Sequence, residues 1–184
     1  PFIQLAFKNA SIVPIAFGTQ AYADAEILAE ALAAVLKDRR DCLVVASTDL
    51  SHYHPYDEAN SIDKRLIGIL GGMKAKELYE DMRLSGGEKS PCGIMPIAAT
   101  LLAGEKLGFK DIKILKYANS GDTFGDKSKV VGYVSAVIYE GSRSIADRPR
   151  EERGGHMLLN DSERKRLLDI ARGSIKSFVG GRKR

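Results

Sequence analysis

The run CLVVASTDLSHYHPYDE over residues 42–58 constrains this chain more than any other stretch. Its apolar first part is too brief for a helix and rich in β-formers, so residues 41–47 read as a buried strand. That strand would end by releasing Asp49, Ser51, His52 and His54 into a short loop. Loops at the carboxyl ends of strands in open α/β sheets are where ligands usually bind. Two of the three histidines of the chain fall here, beside acids and hydroxyls. Such a cluster suits a metal or an acid–base site better than it suits a core.

The rest of the pattern supplies elements to surround that loop. Residues 11–18 read as a strand, near an edge or bulged because of Pro14. Helical spacing of apolar residues predicts helices over 22–37, 57–70, 74–84 and 93–107. Asp57 and Glu58 suit a helix N-terminus, and Pro96 is tolerable only in a first turn. Strands follow at 111–118 and 130–139, joined by a polar loop into an antiparallel hairpin. This order implies an α/β fold, a mixed sheet with flanking helices. Composition shifts near residue 141. Residues 141–157 lack apolar periodicity and read as a linker. Residues 158–184 open on Asn160-Asp161-Ser162-Glu163 and carry a helical apolar stripe from Leu167 to Val179, the first element of a second, truncated domain.

The chain has 184 residues, enough for one domain with a sizeable core. It begins at Pro1 inside an apolar, helix-like segment, which reads as a chain whose upstream part is missing. No apolar run reaches the roughly 20 residues of a membrane span. Two cysteines, Cys42 and Cys92, argue against a disulfide framework and fit a reducing cytoplasm. The net charge of +4 concentrates in the last forty or so residues. Without interleaved aromatics or a reader motif it marks a solvated surface rather than a nucleic-acid partner.

His52 is the first candidate site residue, since imidazole binds transition metals and moves protons near neutral pH. Asp49 can orient a histidine, ligate a metal or cap the turn. His54, before Pro55, is a candidate for an outer or substrate-facing role. Cys92 stands in Ser90-Pro91-Cys92-Gly93-Ile94 at a helix start, where a thiolate is stabilised. Cys42, inside the expected strand, reads as core. Tyr117 to Asp122 reads as a turn. No Gly-rich phosphate loop, Cys-x-x-Cys pair or His-Glu-x-x-His zinc signature occurs. One histidine and one cysteine do not complete a catalytic metal site, which normally takes three protein ligands. Three readings stand on the residues alone: further ligands upstream, a Cys–His nucleophilic pair, or no site.

Four separated motifs, in order, resemble the MEMO family, in prokaryotes the AmmeMemoRadiSam system protein B group. They are Ala46-Ser47-Thr48-Asp49-Leu50-Ser51-His52-Tyr53, Pro91-Cys92-Gly93-Ile94-Met95-Pro96, Tyr117-Ala118-Asn119-Ser120-Gly121-Asp122 and Val131-Gly132-Tyr133. The resemblance covers residues 1–140, as the C-terminal half of that domain. Residues 158–179 resemble the opening helix of an AMMECR-type domain. The family fold is similar to the class III extradiol dioxygenases. The resemblance implies iron or copper held by His52 and Cys92, with Asp49 as the nearby acid and Asp49 or His54 passing protons. The remaining ligand histidines would lie upstream. It implies redox or dioxygenase-type chemistry on a small molecule, or else a non-enzymatic module binding a protein or peptide on a retained fold.

Overall fold

The structure, a computed structural model, describes residues 2–7, 10–85 and 91–140. The chain divides into two compact units. Of the first, the described residues form helix α1 (Phe2–Ala6) and an irregular stretch to Ala16. The second, from Phe17 onward, carries all the chemistry discussed below.

Its helices are α2 (Tyr22–Leu36), α3 (Tyr56–Gly71), α4 (Ala75–Leu84) and α5 (Ile94–Lys106). Each lies within two residues of its expected span, because each has an apolar face at helical spacing. Helix α3 buries Ala59, Ile62, Leu66 and Leu70 on one face, and Asp57 and Glu58 sit in its first turn. Helix α5 is buried almost all round, through Ile94, Met95, Ile97, Ala98, Ala99, Leu101, Ala103 and Gly104. It is the core of the unit. Helix α2 packs on it through Ala25 and Ala29, whose small side chains allow close approach, and α4 packs on it through Leu78. Full burial of Leu66, Leu78, Ile94 and Leu101 contributes roughly 1.5–3 kcal/mol for each side chain.

Strands β1 (His52–His54), β2 (Asp111–Asn119) and β3 (Val130–Tyr139) form a three-stranded sheet in the order β1-β3-β2. The hairpin of β2 and β3 is antiparallel, as expected, with Asp111 opposite Tyr139 and Asn119 opposite Gly132. A short helix, α6 (Ser120–Phe124), joins the two strands. Asn119 caps it by accepting from Gly121 N–H at 2.9 Å, while Asp122 accepts from Asn119 N–H at 2.8 Å. The expected turn at 117–122 is therefore a strand end followed by a capped helical turn. Helix α3 lies on β2 and β3.

Four expectations fail here. Residues 11–18 form no strand, and neither do residues 41–47. The reason is the same in both: a strand exists through its ladder, and apolar β-formers supply none of the partner groups. Among the described residues, no backbone–backbone hydrogen bond ties residues 42–49 to a neighbour. Pairing begins where Leu50 N–H donates to Gly132 O at 2.8 Å and Gly132 N–H donates to Ser51 O at 3.0 Å. A cavity of about 540 Å³ lies between residues 42–48 and the surfaces of α5 and β3. Leu43 and Val45 are accordingly exposed, and so is Cys42, which is not core. The described sheet is also wholly antiparallel rather than mixed. The expected linker at 141–157 and helix at 158–184 lie outside the described residues. Among those described, no helix is long and apolar enough to cross a membrane.

Candidate metal centre

The site forms where the segment before β1 meets the turn before α5. Asp49 comes from the first and His52 from the opening of β1 itself, while Cys92 comes from the second. One donor atom from each lies within 4.8 Å of the other two. Donors bound to one metal at about 2.0–2.3 Å stand roughly 3–4 Å apart, so small side-chain rotations close the set around an ion. His52 Nε2 already lies 3.5 Å from Asp49 Oδ2. Asp49 and His52 are half-buried and Cys92 is exposed, which leaves one side open to a ligand.

Two residues that the sequence did not single out hold the segments together. Gly93 N–H donates to Thr48 Oγ1 at 2.8 Å, and the Thr48 hydroxyl donates to Asp49 O at 2.8 Å. Asp49 N–H points at Cys92 Sγ, 3.5 Å away. Gly93 must be glycine: a Cβ there would stand 2.7 Å from Thr48 Cβ and 2.8 Å from Ser47 O. Such an approach across forty-five residues leaves no signal in a single sequence.

Strand β1 is bulged between His52 and His54, and Tyr53 inside the bulge has φ 61°. A bulky residue in the left-handed region is strained, and bulges of this kind re-aim side chains next to sites. The result is an exposed Tyr53 ring 6.0 Å from the His52 ring. Tyr133, on β3, is also exposed. Partial burial, then the negative charge of Asp49, raises its phenol above the ordinary tyrosine value. Two phenols therefore flank the three donors. His54 is not among them: its Nδ1 faces Glu58 Oε1 at 3.4 Å, in the first turn of α3. The cavity beside residues 42–48 touches Thr48 but none of the three donors.

Behind the site, Tyr117 donates its hydroxyl to Asp63 at 2.7 Å. Burial, then this bond to a carboxylate, raises the phenol above its ordinary value of 10.0. A raised pKa favours the neutral phenol in the folded chain. The stability it gives is complete below about pH 10 and is lost as pH rises above it. The urea midpoint of the parent chain is expected to fall more steeply between pH 9 and 11 than that of Tyr117→Phe. Parallel curves would show that this phenol makes no pH-dependent contribution.

Comparison with known proteins decides the family. A model described as Memo-like protein matches residues 1–137. The chain belongs to that family. It is 39% identical over 134 residues to a MEMO1 family protein of Methanothermobacter thermautotrophicus, covering 72% of this chain and 48% of that protein. It is 40% identical over 139 residues to one from Thermotoga maritima, covering 76% and 48%. A third, from Pyrobaculum aerophilum, is 37% identical over 140 residues, covering 76% and 49%. The chain thus spans about half the length of the curated relatives it matches, and the Memo-like match takes in Asp49, His52 and Cys92 alike.

Proposed function

We propose that Asp49, His52 and Cys92 hold a redox-active metal, iron or copper, in a Memo-like domain related in fold to the class III extradiol dioxygenases. The observation that carries this is the meeting of a carboxylate, an imidazole and a thiol from two distant segments within 4.8 Å. The donor chemistry fits: thiolate with imidazole favours Cu(I), zinc or iron over magnesium or calcium. Three protein ligands with an open side is the pattern of a reactive metal site rather than a structural one. Bound there, iron or copper would supply one-electron redox and Lewis-acid chemistry to a small-molecule ligand.

The remaining work falls to the chain. The Asp49 carboxylate orients the His52 ring through the 3.5 Å contact and is the nearest group able to take a proton from a ligand. Tyr53 and Tyr133 give the open side aromatic walls. A reducing cytoplasm, the setting we propose, would keep Cys92 available as a thiol. His54 was expected to share the proton-passing role. Its pairing with Glu58 argues for Asp49 instead. His54→Ala is accordingly expected to leave metal affinity unchanged in a competition titration, and a loss matching that of His52→Ala would return His54 to the site.

The direct test is the metal content of the full chain after loading with Cu(I) or Fe(II), with Co(II) as a spectroscopic stand-in. One metal per chain and a thiolate-to-cobalt charge-transfer band are expected. Cobalt bound without that band would place the metal away from Cys92 and sink the assignment. A second reading, a protein- or peptide-binding module, is favoured by one observation. Residues 42–48 make no backbone–backbone hydrogen bond among the described residues and expose Leu43 and Val45, the features that accept an added strand. Peptide binding that survives removal of the metal would favour it.

A further inference from the structure

Asp63 is the anomaly on the apolar face of α3. Its side chain is fully buried, and no cation pairs with it among the described residues. Buried carboxylates are costly unless their oxygens are used. Both are used here. Oδ1 accepts the backbone N–H of Ser51 at 2.9 Å, and Oδ2 accepts the Tyr117 hydroxyl at 2.7 Å. The Tyr117 oxygen also lies 3.0 Å from Asn60 Oδ1, which accepts Asn119 Nδ2 at 3.0 Å. The carboxylate is therefore fixed from α3, from β2 and from the α6 cap together.

What it holds is the backbone between two of the three donors. Ser51 stands two residues after Asp49 and one before His52. Its N–H goes to Asp63, its carbonyl accepts Gly132 N–H, and Leu50 N–H goes to Gly132 O. These three bonds leave the Leu50–Ser51 backbone one position, and that position sets the angle between the Asp49 carboxylate and the His52 ring. The Thr48–Gly93 contact fixes the other end of the segment against Cys92. We infer that Asp63, held by Tyr117, is a positioning residue for the metal donors. It acts through the Ser51 N–H and touches no donor itself. An amide is a poorer substitute: its one acceptor serves either Ser51 N–H or the Tyr117 hydroxyl but not both, and a charge-assisted bond to a carboxylate is the shorter and stronger.

This inference rests on the metal reading above, and its test separates the two. Co(II) is titrated into the full chain, into Asp63→Asn, into Tyr117→Phe and into Leu78→Ala, each checked for folding by circular dichroism. Leu78 is a buried apolar residue of α4 with no part in the hydrogen bonds above, and serves as a control for lost stability alone. Asp63→Asn is expected to weaken cobalt binding by about 10- to 100-fold, the range for groups that orient ligands. It should also shift the ligand-field bands of the saturated site. Tyr117→Phe should shift both in the same direction, less strongly. Leu78→Ala should lower the melting temperature and leave the saturated spectrum as in the parent. Parent-like affinity and bands in Asp63→Asn and Tyr117→Phe would overturn the positioning role, and so would an equal shift in Leu78→Ala. If Asp63→Asn does not fold, Tyr117→Phe against Leu78→Ala decides alone. A parent chain with no thiolate band fails earlier and overturns the metal reading itself.

Discussion

Cys92→Ala is expected to lower metal affinity by more than about 100-fold, since loss of a group that merely orients a ligand already costs 10- to 100-fold. The argument is one of donor count and donor type. Asp49 and His52 alone make a two-point site with no soft ligand, and such sites do not compete for Cu(I). His52→Ala should fall comparably, because it leaves the carboxylate and thiolate without the imidazole between them. The fold should barely notice Cys92→Ala. The side chain is exposed, and exposed substitutions usually stay within about 0.5 kcal/mol. Metal then becomes visible as stability: at a hundredfold excess over Kd it adds about 2.7 kcal/mol to the parent chain. The melting temperature of the parent should therefore rise on adding metal, and that of Cys92→Ala should not. Cys42→Ala is the internal control, being also exposed and outside the donor group. A melting shift retained in Cys92→Ala, or lost in Cys42→Ala, would mean the wrong thiol has been assigned.

Much of the fold was legible because helices declare themselves locally. The apolar spacing of α2 to α5 is a property of each segment alone, and so is the strand–loop–strand pattern of the β2–β3 hairpin. The runs at 11–18 and 41–47 were misread for the converse reason. Val44, Val45 and Ala46 say that a strand would be apolar, not that a ladder is there to receive it. With the strand went the burial of Cys42. In the site, Asp49, His52 and Cys92 stood out as chemistry-bearing residues in loops flanking apolar elements, and the structure brings them together. Thr48 and Gly93 did not stand out, because their contact spans forty-five residues and neither is a reactive type. Asp63 was hidden differently. An acid on a helix reads as solvent-facing, yet it follows Ile62 and falls on the same buried face as Ala59 and Leu66. Only the position of β3 beneath it shows that it points inward. His54 has a local partner within reach, a glutamate four residues on at a helix start, and its Nδ1 lies 3.4 Å from that carboxylate.

Gly132→Ala should be the most damaging single methyl that can be added here. Gly132 is buried on β3, opposite Asn119 on one side and tied by two backbone hydrogen bonds to Leu50 and Ser51 on the other. A Cβ at this position would stand 1.9 Å from Asp63 Oδ2 and 2.7 Å from its Cγ, with the second oxygen at 3.1 Å. A flexible side chain could swing away. Asp63 cannot, because Ser51 N–H and the Tyr117 hydroxyl hold its two oxygens and the α3 face leaves it no exit to solvent. Either the strand moves, breaking its bonds to Leu50 and Ser51, or the carboxylate leaves its donors and stays buried without them. Overpacking alone costs about 1–3 kcal/mol, and stripping a buried charged group of a hydrogen bond adds a similar amount. The sum, about 2–6 kcal/mol, is a large share of the stability of a domain this size. A fall in the urea midpoint without a change of slope would measure it. Both exits also release the Leu50–Ser51 backbone, so whatever fraction of Gly132→Ala folds should bind cobalt less tightly than the parent. A Gly132→Ala chain with parent-like stability would show that Asp63 is free to move, and with that freedom it could not hold the donors in place.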